Sequence, residues 1–215
     1  MAVHGLQLET SFVVIVYDSI DRRQVSRGLL QQMIPGQRPR FIDLPGGPLV
    51  VDFEELPGTS CIIDDRRIHV RQAGTTEPGE GQLAHMATWA SGAIGEAIMK
   101  AYGKNYVITG SIEGVEDVGA FLRDAFLSDV QRLQQLLEGS ISWLSPRIKY
   151  VADGTEYELR FDPDLSEQAV FTAHLNIHHA TQSLPSADAL SSELSNGFRY
   201  FKELLGKVLS AGAAS

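Results

Sequence analysis

The chain has 215 residues, enough for one large or two small packed cores, and its 43% hydrophobic and 21% charged content is that of an ordinary globular protein. Its net charge of −9 argues against nucleic acid and anionic membrane as partners, because both need clustered Lys and Arg to neutralise phosphate. A single cysteine, Cys61, excludes an intramolecular disulfide framework and a cysteine zinc site, and fits a reducing cytoplasm.

The N-terminal stretch "MAVHGLQLET" has no basic region. The apolar run "FVVIVY" after it is too short for a signal-peptide core or a membrane span. The expectation is a soluble, cytoplasmic protein without a lipid anchor. That run, rich in β-branched and aromatic residues, reads as a strand buried on both faces. From Asp21 the spacing turns helical, with Val25, Leu29 and Met33 on one face and Pro35–Gly36 as the stop. Four short strands follow, at Phe41–Leu44, Leu49–Leu56, Ser60–Ile63 and Ile68–Gln72, separated by Pro/Gly and Asp-rich turns. "AGTTEPGEG" reads as a mobile loop with no apolar anchor.

A long helix is expected over Gln82–Tyr102, with Gly103 as its C-cap. "NYVITGSIEG" then reads as a strand. Glu116–Glu138 reads as one helix, with Val118, Phe121, Leu122, Ala125, Val130, Leu133 and Leu137 facing inward. Strands are expected at Arg147–Val151, Glu156–Phe161 and Gln168–His178, with Asp153–Gly154 as a tight turn between the first two. A last helix over Ala187–Leu209 carries Leu190, Leu194, Phe198, Phe201, Leu205 and Val208 on its inner face, capped by Ser186 or Asp188.

The element order repeats. The start at Tyr106–Leu122 resembles the start at Phe12–Leu30 in layout, though not in side-chain identity. The fold class read from this pattern is α+β. It has antiparallel sheet covered by helices and an internal duplication of a strand–helix–(three or four strands)–helix unit. The halves are residues 1–103 and 104–215, packed as one compact unit.

The most conspicuous candidate chemistry is "FTAHLNIHHA". As a strand, it sends Phe171, Ala173, Leu175 and Ile177 to one face and Thr172, His174, Asn176 and His178 to the other. His174 and His178 then stand roughly 13 Å apart along the strand, too far to share one zinc ion with bonds of about 2 Å. The expected role is the polar face of a half-buried strand, available for recognition and pH-sensitive near neutrality.

"CIIDDRRIH" brings Cys61, Asp64, Asp65 and His69 close in sequence, but Cys61 beside two isoleucines reads as a core residue. Asp52 and Glu54 share the outer face of one strand. Arg22–Arg23 and Arg66–Arg67, each beside aspartate, read as local surface ion pairs. No serine elbow, phosphate loop or dinucleotide fingerprint is present.

The sequence therefore assigns no catalytic residue, no cofactor and no metal. It favours a non-catalytic binding or assembly protein that contacts a protein partner or a second copy of itself, as in a homodimer. The candidate recognition residues are Thr172, His174, Asn176 and His178, with Trp89 off the apolar stripe of its helix. Two other classes stay open: a small hydrolase-like or metal-dependent enzyme using His174 and His178 in a cleft, and a carrier of a small apolar ligand.

Overall fold

The computed structural model describes residues 2–43 and 45–212. Nine strands form one antiparallel sheet. In chain order they are β1 (Val3–Tyr17), β2 (Pro39–Asp43), β3 (Leu49–Phe53), β4 (Ser60–Ile63), β5 (Arg67–Ala73), β6 (Met99–Ile112), β7 (Arg147–Ala152), β8 (Thr155–Pro163) and β9 (Val170–His179). Across the sheet the order is β2-β3-β4-β5-β1-β6-β9-β8-β7. The helices are α1 (Arg27–Leu30), α2 (Leu83–Gly92), α3 (Val118–Phe126), α4 (Val130–Leu137) and α5 (Ala187–Gly212).

The β1 run alternates. Val13 and Ile15 are wholly buried and Tyr17 nearly so, whereas Phe12, Val14 and Val16 are half-buried. The strand is thus covered on one face only, not on both, because the helices lie on one side of the sheet. α2 packs on β1 and β5, α5 on β6 and α2, and α3 on β8 and α5. Among the described residues α2, α3 and α5 pack on this side, so the helices cover the sheet only in part.

Several helical stretches are shorter than their sequence period suggests. Asp21–Met33 yields a 3-10 turn at Arg22–Gln24 and the single-turn α1, each capped by a side chain: Asp21 accepts from the Arg23 N–H and Ser26 from the Leu29 N–H. The helix expected over Gln82–Tyr102 ends at Gly92, a left-handed Gly95 (φ +76°) redirects the chain, and Met99–Tyr102 pair with β1 as strand. Gly103 is therefore a mid-strand residue and caps nothing. The Glu116–Glu138 stretch is two helices, α3 and α4, each with its own aspartate cap (Asp117, Asp129). α4 buries no residue, and Leu133, Leu136 and Leu137 are exposed rather than inward. The second strand follows expectation to Asp43; Leu44 lies outside the described residues.

The Gly74–Gln82 loop is not unanchored. Pro78 is buried, Gly79 presses against Ser191 and Ser195 of α5, and the Glu77 carboxylate sits 3.7 Å from Lys202. The bare backbone at Gly79 is what lets the loop approach α5 so closely.

α5 is held by apolar burial. Leu190, Leu194, Phe201 and Leu205 are fully buried and Phe198 and Leu209 nearly so. Each such side chain contributes about 1.5–3 kcal/mol on leaving water, which outweighs any single polar contact on the helix. At its closest approach, the Tyr106 hydroxyl donates to the Leu194 carbonyl (2.9 Å) and lies over Gly197. A Cβ at Gly197 would strike that hydroxyl and crowd Ile177, so Gly197→Ala is expected to lower stability by about 1–3 kcal/mol in urea titrations. Gly206→Ala on the same helix meets nothing within 4 Å and is expected to be neutral or to stabilise by up to about 1 kcal/mol.

Candidate recognition face and the charged pair beneath it

On the uncovered side, one row of side chains crosses all nine strands. It runs Arg40, Asp52, Ser60, Arg71, Phe12, Asn105, Asn176, Glu158, Lys149, each residue paired directly with the next across the ladder. The adjacent row of β9 and its neighbours joins Val107, His174, Arg160 and Arg147. Period-2 alternation places all of these on the side away from the helices.

The four strand residues expected to share a face do so: Thr172, His174, Asn176 and His178 are half-buried, while Phe171, Ala173, Leu175 and Ile177 are buried under α5. Trp89 is not brought to them. It sits on α2 on the covered side, half-buried, with its indole N–H donating to His85 Nε2 at 2.8 Å.

His174 is the best-connected of the group. Its Nε2 lies 3.2 Å from an Arg160 guanidinium nitrogen and 3.5 Å from the Asp162 carboxylate, which also accepts from Arg160 Nε at 2.7 Å. Burial and the neighbouring guanidinium hold His174 below the ordinary histidine range, and Asp162 only partly opposes them. His178, four residues on, is in none of these contacts, and the two do not share a ligand. Among the described residues no group of three or more His, Cys, Asp or Glu could hold a metal ion.

A shallow depression of about 160 Å³ opens between Phe12, Asn105, Glu158, Arg160, His174 and Asn176. Nearby, β6 carries no side chain at Gly103, where a Cβ would lie 3.1 Å from Asn176 Oδ1. Asn176 Oδ1 is itself buried and has no hydrogen-bond partner. A buried acceptor without a donor costs about 1–3 kcal/mol, and the same state is shared by Ser11 Oγ, His69 Nε2, Thr75 Oγ1 and His179 Nε2.

Cys61 and His69 lie on opposite sides of the sheet. Cys61 is fully buried, and burial pushes its thiol up to about 12, which removes it as a nucleophile. Asp52 and Glu54 do share a neighbour, Arg40, at 2.9 and 3.6 Å.

Under β6 and β9, on the helix side, lies a group that sequence reasoning missed. Lys104 is 5% exposed and its ammonium bonds Glu193 of α5 at 2.7 Å. The Tyr102 hydroxyl donates to the same carboxylate oxygen at 2.8 Å, and the His179 ring stacks on Tyr102 with centroids 4.8 Å apart. Burial acts to raise the Glu193 carboxyl, but the bonds from Lys104 and Tyr102 together outweigh it and hold the group below its ordinary value. The chemistry is that of an ion pair pinning α5 to β6. Nothing in "AYGKNYVITG" marks Lys104 as buried; the signal is its partner, far along the chain.

No protein-family model matches the chain, and no curated protein matches it.

Two outcomes are expected. Glu193→Gln should destabilise by about 2 kcal/mol, less than for a fully enclosed pair because Glu193 is partly open to water, and leaves Lys104 buried without a counter-charge. Because the folded pKa of Glu193 is depressed, its contribution is present above the ordinary glutamate value and lost as pH falls through the folded value. Denaturation midpoints followed from pH 7 down to the acid range should show that loss in wild type and a flatter curve in the variant. Separately, Arg160→Gln removes the cation that lowers His174, so the His174 midpoint read by NMR should rise.

Proposed function

We propose that this protein is a non-catalytic binding module that presents its uncovered sheet face to a polypeptide partner. The observation that carries the reading is the polar centre of that face. Asn176 Oδ1 and His69 Nε2 are both buried on it and both lack a hydrogen-bond partner. Ordinary sheet faces either wet such atoms or pair them. Both atoms are closed off by the side chains around them, so a bound polypeptide supplies their missing partners, from its backbone N–H and C=O groups, once those side chains move aside.

The setting supports this. The sheet spans nine strands spaced about 4.8 Å, so the face is about 40 Å across, which suits the roughly 800 Å² per partner of a standard interface. Half-buried apolar side chains, Phe12, Val14, Ile62 and Val50, surround the polar centre on the β3–β1 side and supply an apolar contact area. The residues lining the depression hold no serine, threonine or cysteine nucleophile beside His174.

The sheet order also supports an internal duplication. From the central pair, β5-β4-β3-β2 run outward from β1, and β9-β8-β7 run outward from β6. Each half reads strand, helix, returning strands, helix, and the natural boundary of such a unit falls in the Ala93–Ile98 connection, a few residues before 103/104. A free, buried Cys61 fits a reducing cytoplasm.

The test is position-specific photo-crosslinking. A crosslinker placed at Thr172 or His178 on the uncovered face should give a defined adduct in extracts of the source cells, with another protein or with a second copy. The same crosslinker at Lys207 on α5 should not. Adducts that are equal at both positions, or absent from the face, would overturn the reading.

A further inference from the structure

The uncovered face sorts its cations into two kinds. Arg40, Arg147, Lys149 and Arg160 each bond a carboxylate on the same face, at 2.6–3.2 Å. Arg67 and Arg71 do not: among the described residues neither forms an ion pair. Asp64, the aspartate nearest Arg67 in sequence, spends its Oδ1 on the backbone N–H groups of Arg66 and Arg67, both at 2.7 Å. The surface ion pair expected at Arg66–Arg67 is thus missing, whereas Arg22 and Arg23 do find aspartates.

These two arginines and His69 form one stripe. They occupy alternate positions of β5 and so project from the same side. Arg71 is held in place, since its Nε donates to Thr10 Oγ1 at 3.2 Å and Thr10 is in turn anchored to the Gln72 carbonyl at 3.1 Å. His69 is packed edge-on against the Phe12 ring, centroids 4.8 Å apart, and its Nε2 is buried and unpartnered. Ile62 flanks the stripe on one side and Val14 on the other. In a chain of net charge −9, two uncompensated guanidinium groups on an interior strand of an open face are a concentrated exception.

We propose that the Arg67–His69–Arg71 stripe recognises an acidic, extended polypeptide segment. This rests on the binding reading above and names its partner. The geometry sets the segment's pattern. Arg67 and Arg71 are about 13 Å apart along the strand, the distance between side chains four residues apart in an extended peptide. Acidic residues therefore sit at the first and fifth positions, each able to take a guanidinium fork in two hydrogen bonds. The third position lies over His69, between Ile62 and Val14, and takes an apolar side chain.

The probe is a labelled peptide with the core Glu-Thr-Val-Thr-Glu, titrated by fluorescence anisotropy at low salt. Wild-type protein is expected to bind it, with affinity falling as salt rises. Arg67→Gln/Arg71→Gln should weaken binding by at least about tenfold, and so should a Gln-for-Glu peptide. Arg67→Gln alone, which disturbs no partner within the fold, gives an intermediate loss if the double variant folds poorly. Lys207→Gln, an exposed cation on α5 away from the face, should bind within about twofold of wild type. No binding by wild type, unchanged binding by the double variant, or preference for a single-stranded oligonucleotide over the peptide would overturn the proposal. If the peptide fails while crosslinks still map to Thr172 or His178, the acidic class is wrong and the binding face stands. If both fail, the face itself is wrong.

Discussion

The pairing of β1 with β6 is the constraint on which the other features depend. These are the two longest strands among the described residues, 15 and 14 residues, and their ladder joins the two half-sheets. Side chains alternate with period 2, so this register decides which residues meet the helices and which meet water. In it, Tyr102, Lys104 and Tyr106 point toward α5, while Gly103, Asn105 and Val107 form the centre of the open side. Slipping by one residue would bury Asn105 and expose Tyr106. Register shifts between His4 and Gln7 and between Leu8 and Thr10 break the ladder near the start of β1. From Thr10 to Val16 the ladder with β5 is regular, and alternation puts Thr10 on the side of Phe12, where it accepts from Arg71.

Covering a sheet on one side divides its polar groups into two economies. Beneath the helices, a charge is tolerated only with a partner: Lys104 has Glu193 at 2.7 Å, and the Tyr106 hydroxyl has a carbonyl. On the open side water can serve any group that reaches it, so unmatched cations survive there. The buried atoms that have no partner on that side, on Asn176 and His69, belong to neither regime. They are shielded by the side chains around them, yet lie too far from the helices to be satisfied from within.

What could be read from the sequence follows the local periods. The alternation of Phe171–His178 placed each side chain on its observed face, and Asp153–Gly154, both with positive φ, is the tight turn its residues suggest. α5 was legible because its apolar spacing persists over many turns. Met99–Tyr102 were misread because "ASGAIGEAIMKAY" keeps helical spacing and helix-forming residues past Gly92; only pairing with Val16 and Ile15 makes them strand. Leu133 and Leu137 were misread as inward because an amphipathic pattern says which side is apolar but not whether anything packs on it. The Lys104–Glu193 pair joins a strand to a distant helix, and His174 on β9 meets the neighbouring Arg160 and Asp162 of β8, so no local window contains either contact. The same holds for the uncompensated state of Arg67, which depends on Asp64 turning its carboxylate to the backbone.

The central seam also bears on how the chain is made. β1 leaves the ribosome before either strand that flanks it: β5 begins at Arg67 and β6 at Met99. Until then its apolar run is an open edge on both sides, a state prone to pairing with other nascent chains. The β5-β4-β3-β2 meander can close on β1 first, since its own connections are short. The β6 side must wait for more of the chain to emerge. The closure entropy of so long a connection grows only slowly with length, about 0.6 kcal/mol per doubling, so the delay is a matter of kinetics more than of final stability. The half that carries the arginine stripe is thus synthesised complete while the half that carries the histidine strand is still to come.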